Sequence, residues 1–116
     1  MAAGKRLICD SAALVDGGVG LRFMVIRYGR EEPAFAIRFK GAAYAYLNRC
    51  GHTPIELDWQ AGEFFDLERR WIICATHGAI YHPATGECVT GRCAGRGLVA
   101  LQLTEEEGHV YVVETE

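Results

Sequence analysis

Two short stretches, NRCGHTP at residues 48–54 and IICATHGAIY at residues 72–81, each hold one cysteine and one histidine close together. Cys50 and His52 flank Gly51, and Cys74 and His77 are separated by Ala75 and Thr76. The chain has only five cysteines and four histidines, so this repeated pairing of soft ligands points to a metal. A glycine directly follows Cys50 and His77, which lets the backbone bend closely and aim N–H groups at a bound group. Zinc accepts two thiolates and two imidazoles, but its cysteines usually sit together, as do its histidines. Here each stretch gives one of each. That mixed pairing suits a site with a thiolate end and an imidazole end, as in a [2Fe–2S] cluster with two cysteines on one iron and two histidines on the other.

Loops of this kind need strands to hold them. Residues 5–9 read as a short strand. Gly17, Gly18 and Gly20 mark a turn, and residues 21–28 form a strand with Phe23 and Val25 on one side and Met24, Ile26 and Tyr28 on the other. Residues 29–33 read as a polar turn. Residues 34–39 alternate with the cleanest period of two, placing Phe35, Ile37 and Phe39 on one face and Arg38 on the other. Gly41 turns the chain into a strand that runs straight to Cys50.

Residues 50–63 show no clear period. Residues 64–67 and 71–74 read as two short strands around a charged turn, and residues 78–97 as turns rich in glycine. Strand character returns at residues 98–103 and 109–113, around an acidic hairpin turn at residues 104–108. No amphipathic helix of three turns is visible, and residues 10–15 give one turn at most. The expectation is an all-β domain with a glycine-rich loop region set between strands.

The composition narrows the function. With 116 residues the chain supports one domain with a core, and at 50% apolar and 23% charged residues it is globular. A net charge of −3, with no basic run longer than Arg69 and Arg70, gives nucleic-acid binding no support. No segment approaches the roughly 18 apolar residues of a membrane helix. Lys5 and Arg6 are not followed by an apolar run, so the expectation is no signal peptide, no membrane and a cytoplasmic protein with reduced thiols.

Together, Cys50-Gly-His52 and Cys74-Ala-Thr-His77-Gly78 resemble the Rieske pattern C-x-H … C-x2-H-G in residue type, spacing and order. The resemblance extends over nearly the whole chain, including Tyr81, Thr85 and Gly86 after the second motif and the terminal hairpin. It implies an antiparallel β sandwich or barrel over residues 1–116, in which residues 49–97 form a cluster-binding subdomain and residues 1–48 and 98–116 the base strands. It implies one Rieske-type [2Fe–2S] cluster per chain, with Cys50 and Cys74 on the inner iron and His52 and His77 on the outer iron. It further implies a one-electron carrier similar to the small Rieske-type ferredoxins, not catalytic alone, with a flavin-containing reductase and a terminal oxygenase such as an aromatic-ring dioxygenase as partners.

The sequence departs from the cytochrome bc type of this family. The two extra cysteines that form a disulfide across the cluster there correspond to Ile55 and Thr76. The serine whose hydroxyl donates to a cluster sulfur corresponds to Ala79, although Tyr81 is kept. Fewer donors to the cluster stabilise its reduced form less, so the expected potential is near the low end of the Rieske range, about −150 mV. The covering loop at residues 90–97 lacks proline and carries Arg92 and Arg96, read as solvated loop residues.

Two other readings use the same residues: a zinc-stabilised structural or interaction module, and a cluster-bearing subunit or redox sensor without carrier turnover. Phe35, Ile37, Phe39, Trp71 and Val112 are core candidates, and Cys9 is a buried strand residue. Cys88 and Cys93 read as plain thiols among the alternatives of a disulfide or zinc ligands. His82 reads as a turn histidine, His109 as a surface residue and residues 105–107 as a solvated turn. Two histidines beyond the pair leave little for a mononuclear iron site.

Overall fold

The structure, a computed structural model, describes residues 3–49, 56–58, 60, 62–74, 78–90 and 97–115, with residues 3 and 115 as backbone alone. The strands are β1 (Ala3–Asp10), β2 (Leu21–Arg27), β3 (Arg30–Phe39), β4 (Ala42–Leu47), β5 (Ile72–Ile73), β6 (Ile80–Tyr81), β7 (Cys88–Thr90), β8 (Ala100–Leu101), β9 (Leu103–Glu106) and β10 (His109–Thr115). A single 3-10 turn, Ser11–Ala13, follows β1. The all-β expectation holds.

Three two-residue turns drive the hairpins. Tyr28 and Gly29 join β2 to β3 with φ of 51° and 78°, Lys40 and Gly41 join β3 to β4 with 51° and 88°, and Glu107 and Gly108 join β9 to β10 with 50° and 81°. Two successive left-handed residues match the twist of paired strands, and glycine takes the second place without a Cβ clash. This corrects two sequence expectations. Residues 30–33 are strand and not turn, because Arg27 pairs with Arg30 and Met24 with Pro33 in the ladder. Likewise Thr104, Glu105 and Glu106 are strand, paired to Tyr111, Val110 and His109. Polar residues hid both, since their side chains lie on a solvated face.

Seven strands form one sheet in the order β1-β10-β2-β3-β4-β8, with β9 also on β10. Only Gln102 separates β8, which pairs with β4, from β9, which pairs with β10. The sheet therefore curls back on itself as a barrel whose walls are β10, β2, β3, β4 and the β8 and β9 pair. At its seam β10 and β2 run parallel and share one pair, Thr115 with Arg27. Side chains close what the ladder leaves open there: Arg6 forks onto Glu114, both bonds at 3.0 Å, and the Ile26 amide donates to Glu114 Oε2 at 2.9 Å.

The strand β3 is covered on both faces. Ala34 and Ala36 face the barrel interior with Val25, Leu47, Val110 and Val112. Phe35 and Ile37 face outward onto a second layer built from Leu57, Phe64, Phe65, Ile72, Cys74, Ala79, Tyr81 and Leu98. Phe35 stacks on Phe64 with ring centroids 3.9 Å apart. This second layer contains the small sheet β5-β6-β7. Its last two strands lie in the stretch read from sequence as turns, since two and three residues are too few to display a period. Of the core candidates, Phe35, Ile37 and Val112 are fully buried, Phe39 packs on the second layer, and Trp71 is half-buried beside His82.

Candidate metal centre

β5 ends at Ile73 and delivers Cys74 to the apolar layer with no exposure. The stretch after it is closed at its base by two backbone bonds. The Cys74 amide donates to the Ala79 carbonyl at 2.9 Å, and the Gly78 amide donates to the Cys74 carbonyl at 2.8 Å. Ile73 then pairs with Ile80 across the base. Gly78 has φ +70°, and among the described residues nothing lies within 4 Å of the place a Cβ would occupy. His77 lies outside the described residues, within this closed turn of the sequence.

The other stretch is closed by side chains. Asn48 follows β4 and is buried, with its amide donating to the Pro33 carbonyl at 2.9 Å. Its Oδ1 accepts the Leu57 amide at 2.9 Å, and its Nδ2 donates to Asp58 Oδ1 at 3.3 Å. Residues 48 and 57 are thereby held together at the root of the loop, and Cys50, His52 and Ile55 between them lie outside the described residues. Leu57, Cys74 and Ala79 belong to one buried cluster, so a residue from the root of each loop packs into the second layer.

Charges near the first loop are paired. Asp58 Oδ2 accepts the Gly62 amide at 3.0 Å and faces Arg22 Nε at 3.4 Å, while Arg22 Nη2 donates to Glu56 at 2.8 Å. Arg49 reaches Glu32 at 3.4 Å, and Glu32 also accepts from Arg27 at 2.9 Å. Asn48 and Asp58 are functional candidates that the sequence reading missed. The only local signal is an asparagine two residues before Cys50.

The remaining ligand-type residues are engaged elsewhere. His82 Nδ1 accepts the Ala84 amide at 3.1 Å, which fixes the proton of the neutral ring on Nε2, and its ring meets Phe39 and Trp71 edge-on. His109 Nδ1 lies 3.1 Å from Asp10. Cys9 is half-buried, and desolvation pushes its thiol up. Cys88 is disulfide-bonded, which corrects its reading as a plain thiol. Cys93, Thr76, Arg92 and Arg96 lie outside the described residues.

A family model described as the Rieske [2Fe-2S] domain matches residues 7–114. The chain belongs to the Rieske [2Fe-2S] family. Solved Rieske structures share its fold at low identity. The ferredoxin of carbazole 1,9a-dioxygenase from Nocardioides aromaticivorans IC177 matches with a TM-score of 0.73 and 22% identity, over 96% of this chain and 98% of that one. A chain from a complex of reduced oxygenase and oxidised ferredoxin in carbazole 1,9a-dioxygenase matches with a TM-score of 0.71 and 23% identity, over 97% and 95%. The quaternary ammonium Rieske monooxygenase CntA matches with a TM-score of 0.73 and 20% identity, over 93% of this chain and 32% of that one. No curated protein sequence matches the chain.

A Rieske domain carries a [2Fe–2S] cluster, and the described residues fit one. Cys74 offers sulfur on a dry, rigid strand end, and the open space at Gly78 lets a group approach the backbone closely. Among the described residues no helix is long and apolar enough to cross a membrane.

Proposed function

We propose that this protein is a one-electron carrier whose cluster is held by Cys50, His52, Cys74 and His77, and that it passes electrons from a flavin-containing reductase to a terminal oxygenase. The observation that carries this reading is that both loop roots are closed, Asn48 with Leu57 and Cys74 with Ala79, and that Leu57, Cys74 and Ala79 pack into one buried cluster. Each loop bears one cysteine and one histidine. The cluster, when bound, supplies reversible storage of one electron. The chain's own part would be to hold the cluster through two thiolates, Cys50 and Cys74, and two imidazoles, His52 and His77.

The carrier reading is supported by the fold likeness to the ferredoxin of carbazole 1,9a-dioxygenase, which covers 96% of this chain. The two remaining histidines are engaged by Ala84 and Asp10, on separate parts of the fold, so we assign no catalytic residue. We further read residues 1–116 as a single cytoplasmic domain, with residues 49–97 as the cluster-binding part and the barrel strands as its base.

The test is electron paramagnetic resonance on anaerobically purified protein before and after dithionite, with iron and sulfide analysis. A rhombic signal that appears only on reduction, with two irons per chain, is expected, and it is lost in the alanine variant of each of the four ligands. Retention of the signal in His77→Ala would refute the ligand assignment. Reduced protein should also sustain turnover between a flavin reductase and an aromatic-ring oxygenase. A normal cluster without sustained turnover would replace the carrier by a redox sensor or fixed subunit.

A further inference from the structure

Asp58 is a carboxylate whose side chain is only 4% exposed. Burying such a group costs several kcal/mol unless donors surround it. Here the Asn48 amide and the Gly62 backbone donate to it, and Arg22 faces it from the protein edge. The contact with Asn48 settles that residue's orientation. Asn48 Nδ2 needs an acceptor, and only with Nδ2 on Asp58 does Oδ1 face the Leu57 amide and close the loop. The Leu57 amide and the Asp58 carboxylate thus hold Asn48 in the same orientation from its two ends.

We propose that Asp58 is a positioning and potential-setting residue: through Asn48 it holds shut the root of the loop carrying Cys50 and His52, and its charge favours the oxidised cluster. This rests on the ligand assignment proposed above. Closing the loop alone would not need a charge, since a neutral acceptor would orient Asn48 as well. Asp58 follows Leu57, which shares a buried cluster with Cys74, and a buried negative charge on that side of the fold disfavours the more negative, reduced cluster and lowers the midpoint. Arg22 partly offsets that charge from the half-exposed side, so the two residues act on the midpoint in opposite directions.

The test is voltammetry of loaded variants, each with iron and sulfide counted. Asp58→Asn is expected to raise the midpoint by the equivalent of about threefold in the electron-transfer equilibrium, ~28 mV at ~59 mV per tenfold for one electron. Asp58→Glu keeps the charge and is expected to keep the midpoint near the wild-type value. Asn48→Ala leaves the charge but opens the loop, and is expected to lose iron to a chelator at least about threefold faster. Purely structural work by Asp58 would change cluster retention and leave the midpoint alone, so a loaded Asp58→Asn protein with an unchanged or lower midpoint overturns the proposal. If Asp58→Asn does not load, Arg22→Gln decides. Its midpoint is expected to fall, and an unchanged or higher value overturns the proposal. Failure of the ligand assignment reads differently: Cys50→Ala would keep the wild-type signal, and both readings would go.

Discussion

Cys74 and Ala79 are tied by one backbone bond, the Cys74 amide to the Ala79 carbonyl at 2.9 Å, and both side chains are fully buried. Ala79 thus sits at the root of the second loop, at the position where the resemblance to the cytochrome bc type implies a serine hydroxyl. Ala79→Ser should supply that donor and raise the midpoint from about −150 mV by the equivalent of about tenfold, ~59 mV. Voltammetry of the loaded variant checks it, and no rise would mean that the hydroxyl does not reach the cluster.

Gly86 separates two effects that are often confounded. It has φ +76°, and a Cβ there would lie 2.7 Å from Tyr46 Cε1. Tyr46 cannot yield easily, because its hydroxyl donates to the Pro83 carbonyl at 2.7 Å and its ring is buried. Gly86→Ala should therefore cost about 2–4 kcal/mol, strain and overpacking together. Gly29→Ala, at φ +78° with nothing within 4 Å, should cost about 1 kcal/mol. Parallel urea titrations distinguish the two.

The acid limb of stability should depend on Glu114 and Glu105. Hydrogen bonds from Arg6 and Arg38 respectively hold these carboxyls below the ordinary value of 4.5. A depressed folded pKa gives stability that is present above the unfolded value and lost as pH falls through the folded one. Glu114→Gln should cost about 1 kcal/mol at neutral pH, and the difference from wild type should shrink below about pH 4. Unfolding midpoints across pH 3–7 measure it, and a constant difference would contradict the assignment.

The Cys88 disulfide predicts a labelling pattern. Protein denatured without reductant should leave Cys88 unmodified by iodoacetamide, and protein denatured with reductant should take the label. Peptide mass spectrometry reads both. Equal labelling under the two conditions would restore the plain thiol.

The barrel and the ligand motifs were legible in the sequence for different reasons. Residues 34–39 alternate cleanly because β3 carries large side chains only toward the second layer. The family was legible because its pattern fixes cysteine and histidine at set spacings, here Cys50, His52, Cys74 and His77. What escaped notice had no such signature. Ile80, Tyr81 and the residues of β7 are too few to show a period. Glu31, Glu32 and the residues of β9 are charged strand positions whose partners, not their own chemistry, make them strands. Asn48 and Asp58 act on each other across a ten-residue gap, and a buried polar pair leaves no pattern in the composition.

The last strand has a consequence for the order in which the molecule is made. β10 pairs with β1, β2 and β9, joining Ala3 to Thr115 and closing the barrel seam. The main wall next to the cluster loops waits as well, since the Leu47 amide is held by the Val99 carbonyl and the Leu98 amide by the Gly86 carbonyl. Contacts this distant in sequence are slow to form, and a chain emerging from the ribosome cannot make them until β10 is free. The roots of the two loops are closed by nearer contacts, Asn48 with Leu57 and Cys74 with Ala79, so the loop bases can form before the barrel seam does.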